Sequence, residues 1–143
     1  MKRHQSLQDL SREHHGALQL ALTARRAANS GNRDSIAAAL TTCVTVFARD
    51  LEPHFVREET GLLPAMAQAG EDALVARTLR EHAELRALIT RLPDSEPEPS
   101  TLLSFADLLS AHVRFEEREM FELAQLRLDR QTLSFGGRQT GTA

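Results

Sequence analysis

The hexapeptide His54-Phe55-Val56-Arg57-Glu58-Glu59 recurs as His112-Val113-Arg114-Phe115-Glu116-Glu117, and both copies lie in apolar patterns of helical period. Residues four apart stand one above the other on a helix, so each copy offers an imidazole and a carboxylate on one face. Such a pair is a two-ligand metal clip. A second echo, Arg12-Glu13-His14 and Arg80-Glu81-His82, adds one imidazole from each of two further segments. Together His14, His54, Glu58, His82, His112 and Glu116 make a mixed nitrogen and oxygen donor set, which suits iron, manganese or zinc better than calcium or copper(I). Two carboxylates can bridge two divalent ions while two histidines complete each ion. Burying these groups in one core without a cation would cost several kcal/mol per ionised group, so the apolar stripes that carry them point to metal binding.

The elements that must position this set are helices. Leu7, Leu10, His14, Ala17, Leu18, Ala21 and Leu22 form one stripe, and Asn29-Ser30-Gly31-Asn32 supplies a stop, giving a first helix over about 5–29. Asp34 is placed to cap a second, long helix carrying Leu40, Val44, Phe47, Leu51, His54 and Glu58 toward Gly70, with kinks or a break expected near Pro53 and Pro64 because each removes an amide donor. A third follows Glu71 and Asp72, carries Val75, Leu79, His82, Leu85 and Ile89, and ends at Leu92. The run 93–99 is too rich in proline and charge for regular structure. Ser100 is placed to cap a fourth helix, about 101–130. Short connections favour an all-α, up-down-up-down four-helix bundle over residues 1–130, followed by a flexible tail, 131–143. The repeat pairs Leu7 with Val75, Ala17 with Leu85 and Ala21 with Ile89, and Leu62-Leu63 with Met120-Phe121, so two helical hairpins related by a pseudo-twofold would bring the histidines to one level.

Composition narrows the field further. A net charge of -3 and a pI near 6.1 leave no basic field for nucleic acid or an acidic membrane surface. No apolar run approaches the roughly 20 residues of a spanning helix, and the first residues lack the apolar core of a secretory signal, which predicts a cytoplasmic protein. The single cysteine, Cys43, reads as buried filler, and the absence of Trp and Tyr excludes a tyrosyl radical or a phenolate ligand from this chain.

Two positions have neighbours that compete for the same role. His14 lies mid-stripe and matches His82, whereas His15 is rotated about 100° away and reads as a surface or supporting residue. Glu59 and Glu117 follow the carboxylates of the clips and turn away on a regular helix, toward solvated pairs with Arg57, Arg114 or Arg118, although a local bulge near Glu117 would swap it in. Glu13 and Glu81 read as surface residues or supports for the ligands, and His4 as part of a mobile end.

The residues Glu13-His14 with Leu18, His54-Phe55-x-x-Glu58-Glu59 with Leu63-Pro64, Glu81-His82 with Leu85, and His112-x-x-x-Glu116-Glu117 with Phe121 resemble a hemerythrin-type, or HHE, cation-binding domain over nearly all of 5–130. The resemblance implies a four-helix bundle around two non-haem irons bridged by two carboxylates and an oxo or hydroxo group. Oxygen-carrying hemerythrins add a fifth histidine one turn after the ligand of the third helix, where this chain has Arg86. It is thereby closer to the four-histidine members, which are associated with iron handling, nitric oxide or peroxide stress and oxygen sensing. Carriers also use a carboxylate five residues after the last histidine while many HHE proteins use four, and Glu116 fits the latter.

The resulting expectation is a small di-iron protein that binds or senses oxygen or nitric oxide, or handles iron under stress. An alternative is a di-iron oxidoreductase acting on iron, nitric oxide or peroxide. A third is a helical interaction module whose metal, zinc for instance, holds the fold together.

Overall fold

The computed structural model describes residues 3–92 and 98–134, and these are helical except at short connections. Helix α1 (Gln5–Asn29) ends where Ser30 turns its amide and hydroxyl back on Ala27, and Gly31 follows at φ 68°, a left-handed conformation that glycine adopts without a Cβ penalty. One long run comes next: α2 (Arg33–Val46), a wide π turn (Phe47–Leu51), α3 (Glu52–Arg57), a second π turn (Glu58–Leu62) and α4 (Leu63–Gln68). Helix α5 (Asp72–Arg91), α6 (Pro99–Phe115), a third π turn (Glu116–Met120) and α7 (Phe121–Arg127) complete the main framework. Helix α1 packs on α6 and α2, and α5 packs on α6 and α4.

The expected distortions at Pro53 and Pro64 take the form of π turns just before each proline, where Glu52 donates to the Phe47 carbonyl and Leu63 to that of Glu58. A longer backbone hydrogen bond absorbs the extra residue there. The third π turn has no proline behind it, so proline is not the common cause. What Glu58–Leu62 and Glu116–Met120 share is a first residue that is a fully buried carboxylate.

Several ends differ from the sequence-based expectation. Asn32, not Asp34, caps α2 by accepting from the Ser35 amide, since the cap must precede the first helical turn. Helix α6 starts at Pro99, ahead of Ser100, because proline's fixed φ suits a first turn whose amides lack partners anyway. His4 is not loose: its ring caps α1 and its amide donates to Gln125. Where a free tail was expected from 131, α8 (Arg130–Leu133) forms, Leu133 is buried and its carbonyl accepts from Ser6. The rest of that tail, 135–143, and the expected irregular stretch 93–97 lie outside the described residues. Leu79, expected on the apolar stripe of α5, is exposed, with Thr78 buried one position earlier and bonded back to Leu74.

The core is divided. One apolar cluster holds Ala17, Leu51, Phe55, Leu85, Leu109 and Val113 among others; a second holds Leu10, Leu62, Phe115, Met120 and Phe121 among others. His14 lies between Leu10 and Ala17, His54 and Glu58 between Leu51 and Leu62, and Glu116 between Val113 and Met120. A polar layer thus separates two blocks of hydrocarbon, each of which shields it from water.

Candidate metal centre

His14, His54, Glu58, His82, His112 and Glu116 are all buried, and Glu58, His82 and Glu116 have no exposed surface at all. His15, one residue from His14, is exposed. The six fall into two groups that share both carboxylates: His14 and His54 with Glu58 and Glu116, and His82 and His112 with the same two, the donor atoms of each group lying within 4.8 Å of one another.

The two oxygens of each carboxylate face opposite groups. Glu116 Oε1 is 2.7 Å from His14 Nε2 and 3.8 Å from His54 Nε2, while its Oε2 is 3.0 Å from His112 Nε2 and 3.7 Å from His82 Nε2. Glu58 does the same, with Oε2 3.3 Å from His54 Nε2 and Oε1 3.1 Å from His82 Nε2. Yet Nε2 of His54, His82 and His112, both Glu58 oxygens and Glu116 Oε2 have no hydrogen-bond partner. Acceptor atoms that converge, buried and unpaired, call for a cation between them. The donor set present therefore fits a metal.

The imidazoles are held from behind. Nδ1 of His54 donates to Glu13 at 2.8 Å, that of His82 to Glu59 at 2.7 Å, and that of His112 to Glu81 at 2.7 Å. A bond at Nδ1 fixes the ring and leaves the Nε2 lone pair pointing inward, the form a metal takes. Glu117 faces the Nδ1 of His14 at 3.4 Å without a hydrogen bond to it, its oxygens accepting instead from Ser11 and Arg3. Each brace is the chain neighbour of one proposed ligand and reaches an imidazole on a different helix, so the four close a ring around the centre. Behind each brace stands an arginine: Arg57 on Glu13, Arg86 on Glu59, Arg77 on Glu81 and Arg3 on Glu117. Burial would raise the carboxyls of all four, but the imidazoles and arginines against them hold each below the ordinary range.

Aromatic rings fix two of the imidazoles further. Phe55 stacks on His82 with centroids 3.8 Å apart, and Phe121 lies parallel to His14 at 5.1 Å.

Glu59 and Glu117 thus depart from the expected solvated pairs with Arg57, Arg114 or Arg118. The π turn that begins at the preceding carboxylate swings each toward a neighbouring helix, where a buried imidazole or Ser11 supplies a donor. The bulge foreseen near Glu117 does occur, but Glu116 keeps its buried place. Arg3, Arg77 and Ser11 went unforeseen: no spacing in the sequence ties them to Glu117 and Glu81, the carboxylates they bind. Arg86 holds Glu52 and Glu59, each through two nitrogens, so its charge is engaged at the rim.

Without metal, protons take the cation's place. Burial opposes charging His82, but Glu116 and Glu58 outweigh it and push the imidazole up to about 9. Burial likewise opposes charging His112, and Glu116 foremost among its neighbours pushes it up to about 10. His54 lies well above its ordinary value chiefly through Glu58, against the same penalty, and the histidine charges hold Glu116 well below the usual carboxylate range despite burial.

The model of the hemerythrin HHE cation-binding domain matches residues 5–124. The chain belongs to this family. No curated protein and no solved structure gives a significant match. In this hemerythrin-type chain the matched span takes in both histidine and glutamate groups, the four braces and all three π turns. Cys43 stands apart from the centre, its thiol pushed up to about 12 by burial, as an inert core residue. Among the described residues no helix is long and apolar enough to cross a membrane.

Proposed function

We propose that this chain is a cytoplasmic non-haem di-iron protein that binds or senses a small diatomic ligand, oxygen or nitric oxide, or handles iron under stress. The supporting observation is the division of oxygens: Glu58 and Glu116 each turn one oxygen to the pair His14 and His54 and the other to the pair His82 and His112. Two ions, each held by two of these imidazoles and by Glu58 and Glu116, would satisfy every unpaired buried atom of this layer except Nδ1 of His14. An up-down-up-down order of four helices accounts for that placement and for the pairs that pack.

Iron in such a site supplies a redox-active centre with coordination places left open to a small ligand. The protein's part is to hold the imidazoles by Nδ1, to offset the cations with two carboxylates, and to exclude water with Leu10, Leu62 and Phe121 on one side and Leu51, Phe55 and Leu85 on the other. A dry pocket favours reversible capture because it withholds the protons that oxidation chemistry consumes.

Metal analysis with an optical spectrum tests the reading. About two irons per chain with near-ultraviolet charge-transfer bands are expected, and a colourless protein holding one zinc would refute it. Mixing the reduced protein with oxygen then separates capture from turnover. A spectrum that reverts when oxygen is removed supports binding, whereas irreversible conversion to the oxidised spectrum supports the oxidoreductase.

A further inference from the structure

The internal repeat relates His14 to His82, Glu117 to Glu59 and Ser11 to Leu79, so the same bond can be compared in two places of one molecule. Glu59 accepts from Nδ1 of His82 at 2.7 Å, whereas Glu117 stops 3.4 Å from Nδ1 of His14, which is left buried without a partner. Leu79 is 44% exposed and has no group that hydrogen bonds. The Ser11 hydroxyl, in contrast, lies 2.8 and 2.7 Å from the two oxygens of Glu117. Where the repeat has a hydroxyl, the bond between carboxylate and imidazole is missing.

The arginine behind Glu117 is not enough to explain the difference. At Glu59 and at Glu13 one carboxylate oxygen accepts from an imidazole and an arginine together, so a guanidinium does not displace an imidazole. Arg3 has a further contact that the arginines at those two sites lack: its Nη1 donates to Ser11 Oγ at 2.8 Å as well as to Glu117 Oε2 at 2.9 Å. A serine hydroxyl carries one proton. With Arg3 donating to its oxygen, that proton is turned to Glu117. The Nη2 of Arg3 also holds the Glu117 carbonyl at 2.9 Å and Glu122 at 2.8 Å, which closes the group.

We propose that Ser11 is a positioning residue that intercepts Glu117 in front of His14, and that it thereby keeps the ion on the His14 side the exchangeable one. Ser11 stands three residues before His14 on α1, on the same face, so its hydroxyl meets the carboxylate that comes toward the imidazole. An imidazole without a bond at Nδ1 is fixed in neither tautomer nor orientation by that atom, and it holds a metal less firmly. Only the statement about the ion rests on the metal reading.

Ser11→Ala tests the proposal with little risk to the fold, since alanine is the best helix former. Long-range proton–nitrogen NMR of the histidine rings in the metal-free, full chain reads each ring nitrogen separately. In the native chain, downfield, hydrogen-bonded Nδ1 protons are expected for His54, His82 and His112 and not for His14. Ser11→Ala is expected to add His14 to them, and Ser11→Ala combined with Glu117→Ala to lose it again. No new hydrogen-bonded proton in Ser11→Ala, or one that survives the loss of Glu117, overturns the proposal. Release of iron to a chelator then tests the consequence. The ion lost first is expected to leave about tenfold more slowly from Ser11→Ala, the low end of the scale on which residues orient a ligating histidine. A residue that merely supports the fold would speed release when removed. Unchanged or faster release despite the new bond overturns the link to exchange alone, and a native chain that holds no metal refutes the metal reading instead.

Discussion

The two histidine pairs share both carboxylates yet are supported unequally. His82 and His112 are each fixed through Nδ1 at 2.7 Å, and Phe55 lies closer on His82, at 3.8 Å, than Phe121 on His14, at 5.1 Å. On the other side His54 is fixed at 2.8 Å, but His14 has Glu117 at 3.4 Å, drawn off by Ser11 and Arg3. The pairs can share ligands and still differ in rigidity, because rigidity comes from the residues behind the imidazoles. The side of His14 is expected to lose or exchange its metal first.

The largest effect should come from what the two sides share. Replacing Glu116 by alanine removes an oxygen from both groups and leaves buried imidazolium ions without their main partner. Metal content should fall to near zero, and denaturant unfolding of the metal-free protein should show a loss on the order of 3–5 kcal/mol. A variant that kept one full pair occupied would break the picture of shared bridges.

Next in size is the response of the metal-free protein to pH. His82 and His112 titrate near 9 and 10 when folded and near 6.5 when unfolded, so their raised values stabilise the folded state fully below about pH 6.5. That contribution declines as pH rises and is gone once both have lost their protons, above about pH 10. Urea midpoints measured from pH 6 to 10 should fall across this window. Metal, which replaces those protons, should bind more tightly as pH rises over the same range, and bound metal should flatten the dependence.

The braces test the inequality itself. Glu81→Ala and Glu59→Ala should weaken metal retention by about 10- to 100-fold, the usual scale for a residue that orients a ligating histidine. Glu117→Ala should cost less than either, since no hydrogen bond to His14 is lost. Chelator competition on the three variants reads the order directly, and an equal loss in all three would erase the distinction between the sides.

Smallest of all should be Arg77→Ala, which removes a half-exposed cation from Glu81 and leaves the bond to His112 in place. A few-fold change in retention is expected, measured in the same competition.

Much of this arrangement is written locally. The doubled His-x-x-x-Glu spacing and the Arg-Glu-His echo assign the six inward residues, because helical period alone decides which side chains share a face. The first helix is bounded correctly by its stripe and by the stop at Gly31. Contacts between distant segments are another matter. That Glu13 supports His54 while Glu81 supports His112 depends on how helices far apart in the chain rotate against each other. Proline marks two of the π turns; at Glu116 the sequence offers a local bulge only as the alternative to a regular helix, so the direction of Glu117 is fixed by the neighbouring helices. The helix starts were also missed where an earlier residue served as well, Asn32 as the cap of α2 and Pro99 as the first residue of α6.

In the proposed function Glu58 and Glu116 would each hold two ions. Iron-edge X-ray absorption of the iron-loaded chain tests it without relying on any reaction. A second iron at roughly 3–4 Å from the first, with nitrogen and oxygen neighbours and no sulfur, is the expected result. Iron that shows no metal neighbour at full loading would contradict the account.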